Sequence, residues 1–229
     1  MSYNICRYTV LWAFLGILPA TPVSAEAILK FTEVWPGGFL GAEATSDWFE
    51  LTNFGDMPAT GIDGNYFFDD ASNSPAQSDP LRGIDTINVG ESVIFITSWE
   101  DDFNAVTEDA IAAFEEMWGP LGDVQVGYVP FGSGFGGSDA AVLFDSNQPD
   151  ANTIDFIAFD SVGSVASFVS EPDGTWVPRL AQAGVWGAYA GNLPAHDLAP
   201  DPPIGSPGVV VPEPGCGSLL AIAGVVVGL

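Results

Sequence analysis

Cysteine, histidine and positive charge are nearly absent from this chain. Its 229 residues include two cysteines, one histidine and four lysines and arginines, against 30 aspartates and glutamates. Cys6 sits in an N-terminal apolar stretch that reads as a secretory signal, and Cys216 lies in an apolar C-terminal run. No disulfide is therefore expected within the mature protein, and the fold must hold by its core. A single histidine, His196, beside Asp197 in a proline-rich stretch, reads as a solvated loop residue. It gives no zinc site, and no G-x-S-x-G turn is present to make a triad with it. The net charge of −26 repels polyanions, which excludes nucleic acid as a partner. Long apolar runs are missing too. Val10–Ala20 is too short to span a bilayer.

The start has the parts of an export signal: Arg7, the apolar run, and the small residues Val23–Ala25. Cleavage is expected between Ala25 and Glu26. Without residues 1–25 only Lys30, Arg82 and Arg179 remain positive. The acids are interspersed with apolar residues, which make up 47% of the chain, so a packed core is expected rather than a disordered acidic tail.

The body consists of short β-branched and aromatic runs punctuated by Gly, Pro, Asp and Asn, the pattern of an all-β protein. Strands are expected in Ala27–Trp35, Asp47–Asp56, Asn65–Asp70, Glu91–Ser98, Val124–Val129, Ala140–Asp145 and Ile154–Asp160. In the second, Phe49 and Leu51 face one side and Trp48, Glu50 and Thr52 the other. Glu91–Ser98 is apolar on both faces and reads as a central strand. Ile154–Asp160 has one wholly apolar face, Ile154, Phe156 and Ala158, and one mixed face, Asp155, Ile157 and Phe159. Thr107–Gly119 breaks the pattern. Thr107 reads as a cap, and Ile111, Phe114 and Trp118 fall on one helical face, so a short helix is expected, covering an end or edge of the sheet. From Leu193 onward the prolines imply an extended spacer. No internal repeat is present.

Several constellations invite a site. Gly132–Gly137 fits G-x-G-x-x-G, but Pro130 precedes it and a strand follows, so it reads as a loop rather than a dinucleotide cradle. Asp145, Asn147, Asp150, Asn152 and Asp155 offer hard oxygen donors, either as a calcium cradle or as a plain polar turn. Asp69, Asp70 and Asp79 form a second, weaker group of the same kind. Glu33 and Glu50 fall within strands and are expected to take buried or half-buried structural roles. Among six mature tryptophans, Trp35 and Trp186 lie near turns, where they could stack on a sugar ring or a protein partner; core or edge packing is the plainer role.

The ordered blocks ILKFTEV, DWFELTNFGD, INVGESVIFI, GSDAAVLFDS, TIDFIAFD and PIGSPG, over residues 28–208, resemble the lamin-tail domain as bacteria carry it. That resemblance implies an immunoglobulin-like β-sandwich over residues 26–208, into which the short helix read at Thr107–Gly119 is inserted. It also implies a non-catalytic attachment or binding module, with no catalytic residues and no required cofactor. The end of the chain, with Val211, Pro212, Glu213 and Pro214 ahead of an apolar run, resembles a PEP-CTERM sorting signal over residues 209–229. This implies processing by an exosortase-type enzyme after transient inner-membrane insertion. It also implies delivery to the cell surface or extracellular matrix of a Gram-negative bacterium that makes exopolysaccharide. Extracellular polysaccharide or a surface protein would then be the partner. The tail departs from that pattern in lacking terminal arginines, and Gly215–Leu229 reaches about 22 Å as a helix, short of the ~30 Å hydrocarbon core. A few basic residues are therefore expected beyond Leu229. Two other functions fit the composition: a secreted glycan hydrolase using paired carboxylates, and a surface domain that keeps its tail as an anchor.

Overall fold

The computed structural model describes residues 25–37, 47–97, 106–130, 134–136, 138–160, 166–192 and 201–209. The signal region 1–24, His196, both cysteines and the sorting motif 211–214 lie outside the described residues, as does part of the Gly132–Gly137 segment. The chain is mostly β. Its strands are β1 (Leu29–Trp35), β2 (Trp48–Asn53), β3 (Ala59–Thr60), β4 (Phe67–Asp69), β5 (Asp79–Pro80), β6 (Thr86–Ile87) and β7 (Ser92–Thr97). After helix α1 (Val106–Trp118) come β8 (Val126–Val129), β9 (Asp139–Phe144), β10 (Thr153–Phe159), β11 (Phe168–Val169), β12 (Arg179–Leu180), β13 (Tyr189–Ala190) and β14 (Ile204–Gly205).

A six-stranded sheet in the order β12-β11-β1-β2-β7-β8 and a four-stranded sheet in the order β10-β9-β4-β5 carry the body; β13-β14 and β3-β6 are small pairs. The two large sheets meet in one apolar core. Phe31, Phe49, Leu51, Val93 and Phe95 come from the first, and Phe68, Ala141, Leu143, Ile157 and Phe159 from the second. Phe49 sits at its centre, stacked on Phe68 at 4.6 Å and on Phe95 at 5.5 Å, with the edge of Phe31 at 5.3 Å. The alternation read in β2 is realised: Phe49 and Leu51 enter this core while Trp48, Glu50 and Thr52 face the other way. Within the expected strand Glu91–Ser98, all six residues of β7, Ser92–Thr97, are buried, as an interior strand requires.

Three expectations need correction. The helix covers a face of the six-stranded sheet, not an end or edge. Phe114, Met117 and Trp118 pack on Trp35, Trp48, Ile94 and Ile96, with Ile111 partly buried beside them. The reason is topological. β7 and β8 pair in parallel, and parallel neighbours need a crossover that carries its helix over a sheet face. The helix starts at Val106, one residue ahead of the expected cap. Strand β10 turns its mixed face inward: Ile157 and Phe159 are buried, while Phe156 is 49% exposed. Its register shifts between Thr153 and Asp155 against β9, and Asp155 is drawn in by Lys30 Nζ at 2.8 Å and by the Phe31 N–H at 2.9 Å. Finally, the proline-rich stretch is not a free spacer throughout. Pro203 and Gly205–Pro207 are buried, β14 pairs with β13, and the Gly191 N–H donates to Pro203 O at 2.7 Å.

A buried carboxylate pair and an adjoining pocket

Strand β1 owes its most consequential feature to one extra residue. Phe31 pairs with Leu51 and Glu33 pairs with Glu50, so Thr32 is a bulge. Strict alternation from Phe31 would have aimed Glu33 into the aromatic core. The bulge resets the parity, so Val34 points inward opposite Phe49 while Glu33 and Trp35 join Glu50 and Trp48 on the outer face. That face is apolar under α1 and polar beside it, where Thr32, Thr52 and Ser92 form a ladder with oxygen separations of 2.9 and 2.6 Å.

Glu33 and Glu50 are 1% and 3% exposed, and their oxygens are held by groups of this chain. Glu33 Oε1 accepts from the Ser167 hydroxyl and from the Ser206 N–H at 2.8 Å, and Oε2 accepts from Ser206 Oγ at 2.8 Å. Glu50 Oε1 accepts from Thr32 Oγ1 at 2.5 Å, and Oε2 from the Gly208 N–H at 2.8 Å. The segment 204–208 is thus gripped by two carboxyl groups from adjacent strands. Gly205 permits the approach, because a Cβ there would lie 2.8 Å from Glu33 Oε1 and 2.8 Å from the Trp118 ring. Gly208 has φ +71, which suits glycine. Burial pushes Glu33 up to about 7 against its hydrogen bonds, and burial together with the charge of Glu33 pushes Glu50 up to about 8. Near neutral pH the pair therefore keeps at least one proton, that of Glu50. Tyr189, pushed up to about 12 by burial and Glu33, remains a neutral donor to Trp118 O at 2.7 Å. It and Asn192, which donates to Met117 O and Glu116 O, cap carbonyls at the end of α1.

Beside the grip lies a cavity of about 290 Å3. Thr32, Glu50, Ser170 and Ser206 give it polar groups, and Val169, Leu180, Ala181, Val185, Trp186 and Ala188 give it apolar walls. Arg179 also lines it, its guanidinium 4.7 Å from the Trp186 ring centroid and bonded to Glu171. Trp186 therefore sits where it can meet a ligand. Trp35, the other tryptophan expected near a turn, is 3% exposed and packs edge-on against Trp118 at 5.1 Å.

Of the calcium candidates, Asp145 and Asn152 meet, while the others have other partners or are exposed. Asp145 accepts from both the backbone and the side chain of Asn152, at 2.8 and 2.6 Å. Asp155 is tied to Lys30 and Phe31, while Asn147 receives the Gln148 amide at 2.7 Å and Asp150 is exposed. Among the described residues no three His, Cys, Asp or Glu side chains stand close enough to share a metal ion. At the weaker group, Asp69 Oδ2 accepts from Ser72 Oγ and the Ser74 N–H at 2.7 and 2.6 Å, while its buried Oδ1 has no hydrogen-bond partner. Burial and Asp69 push Asp79 up to about 6. Phe135 of the glycine-rich segment serves packing: its ring meets Phe68 and Phe159 edge-on at 5.7 and 5.4 Å. Ala25 and Glu26, at the expected cleavage point, are exposed, and the Glu26 N–H donates to Asp56 Oδ1 at 2.8 Å. No helix among the described residues is long and apolar enough to cross a membrane.

Sequence reasoning singled out Glu33, Glu50 and Trp186. It missed Ser167, Ser206 and Gly208 as their partners, although PIGSPG stood out as a block. Comparison with known protein families, curated proteins and solved structures finds no match to this chain.

Proposed function

We propose that this chain is an exported, non-catalytic binding or structural module. In this reading its body is an immunoglobulin-like β-sandwich of the lamin-tail kind. An exosortase-type enzyme, acting at Val211–Pro214, sorts it to the cell surface or to the extracellular polysaccharide matrix. One observation carries the non-catalytic reading. Among the described residues the two acids with the most strongly raised proton affinity, Glu33 and Glu50, spend their oxygens on Ser167, Ser206, Thr32 and Gly208 of the same chain. They fasten the last described segment to the body, immediately ahead of the sorting tail. A displayed domain gains from such a fastening, because handling of the tail then does not peel the adjoining strand.

The amino end supports export. If cleavage follows Ala25, the Glu26 nitrogen becomes an ammonium group beside Asp56 Oδ1, at 2.8 Å in the intact chain, and the hydrogen bond becomes an ion pair. The hydrolase alternative has one observation in its favour: Glu50 lines the cavity. Glycoside hydrolysis by the usual route needs two carboxyl groups flanking the sugar, and Glu50 is the one carboxylate in this lining.

The test is to express the chain with its own ends in an exporting bacterial host, recover the protein from outside the cells, and measure its intact mass. The same material is incubated with polysaccharides. The expected species begins at Glu26, has lost its apolar tail near Pro214, and releases no sugar. Cytoplasmic protein that keeps residues 1–25, or sugar release abolished in Glu50→Gln, would overturn the proposal.

A further inference from the structure

We infer that the cavity beside Glu50 is a binding site for one neutral pyranose ring, presented as the end or branch of a glycan, with Trp186 as its apolar wall. This rests on the binding-module reading and gives it a ligand class.

Size comes first. A volume of about 290 Å3 lies just below the roughly 300–1,000 Å3 usual for ligand sites, enough for one ring but not for an extended oligosaccharide. The lining matches a molecule that is polar at its rim and apolar on its ring faces. The hydroxyls of Thr32, Ser170 and Ser206 donate within the chain, to Glu50, to Glu171 O and to Glu33, and keep lone pairs that can accept; the exposed Gln182 amide adds donors and an acceptor, and Leu180, Val185 and Trp186 supply apolar contact. Leu180 and Val185 are 38% and 41% exposed, so the mouth already presents unsatisfied apolar surface.

Charge then narrows the class. The Arg179 guanidinium is met by Glu171 on one side and by the Trp186 ring on the other. Glu50 retains its proton near neutrality because it is buried beside Glu33. The pocket thus offers hydrogen bonds without an uncompensated charge, inside a protein whose strong negative charge disfavours anions. Trp186 is also held in a left-handed backbone conformation, φ +48, which bulky residues rarely adopt. The turn fixes the indole at the pocket wall in spite of that preference, and Arg179 stacking on the ring removes further freedom.

The test is saturation-transfer NMR on the full chain near pH 7 with methyl glucoside, methyl galactoside, methyl mannoside and methyl glucuronide. At least one neutral glycoside should bind, the glucuronide more weakly. Trp186→Gly, which suits the left-handed backbone, should weaken binding by about tenfold with the thermal midpoint retained. Should that variant unfold, Gln182→Ala at an exposed lining position carries the test, with an expected loss of about threefold. Three results would each overturn the site: no neutral glycoside binding to folded protein, binding unchanged in the variant, or the glucuronide binding as tightly as the neutral rings. Cleavage of a bound glycoside would instead sink the non-catalytic reading and leave the site standing.

Discussion

Replacing Glu33 and Glu50 together by glutamine removes two ionisable groups while keeping their shape and most of their hydrogen bonds. In Glu50→Gln the amide oxygen can still accept from the Gly208 N–H while its NH2 donates to the Thr32 hydroxyl. In Glu33→Gln the same exchange works at Ser206. The consequence lies in the pH dependence of stability. Folded Glu33 releases its proton at about 7 and folded Glu50 at about 8, against an ordinary value of 4.5. Between 4.5 and those values the unfolded chain has already lost protons that the fold retains, so stability falls as pH rises. Below 4.5 both states are protonated, and above about 8 both are ionised; the dependence on these two groups vanishes at either end. At about 1.4 kcal/mol per tenfold change in proton affinity, the two rises together remove on the order of 8 kcal/mol across the window. That is a large part of the ~5–15 kcal/mol by which domains are stable. Urea unfolding should be followed from about pH 5 to about pH 9. The double variant should match the parent to within about 1 kcal/mol at the acid end and exceed it by several kcal/mol at the alkaline end. The other acids titrate in both proteins and cancel in the difference. Parallel curves for the two proteins would refute the reasoning.

Three further outcomes follow from the packing. Gly205→Ala forces a methyl against Glu33 Oε1 and Trp118, both at 2.8 Å, and should cost about 1–3 kcal/mol in urea unfolding. Phe49→Ala, at the centre of the aromatic cluster, should cost about 3–5 kcal/mol. Phe156→Ala, 49% exposed, should stay within about 0.5 kcal/mol, the reverse of what the apolar face of its strand suggests. Because Asp145 and Asp155 are already engaged by Asn152 and Lys30, millimolar calcium should shift the thermal midpoint equally in the parent and in Asp145→Asn; a shift lost in the variant would mark the loop as a calcium site.

Local pattern carried much of the fold. β2 alternates with one face for the core, β7 is apolar throughout, and the helical stripe of Ile111, Phe114 and Trp118 does pack. What escaped was non-local. Glu33 faces outward only because Thr32 is a bulge, and nothing in the composition of LKFTEVW marks the extra residue. Its partners Ser167 and Ser206 lie 134 and 173 residues away. Strand β10 shows Ile157 and Phe159 to the core, where Phe159 packs on Phe135 and Phe168, and these contacts with distant segments, not the apolar look of the other face, decide its orientation. The helix sits over a face because β8 joins β7 in parallel, a pairing that no window of sequence displays. The stretch PIGSPG reads as spacer until two carboxyl groups on distant strands are seen to hold it.

Amide hydrogen exchange at Ser206 and Gly208 in the full chain, measured near pH 6, tests the fastening of the C-terminal segment most directly. Both N–H groups end on buried carboxyl oxygens, so they should exchange as slowly as the amides of β2 and β7, and faster once Glu33 and Glu50 are both replaced by alanine. Exchange at the rate of an unstructured peptide in the unaltered protein would contradict the account.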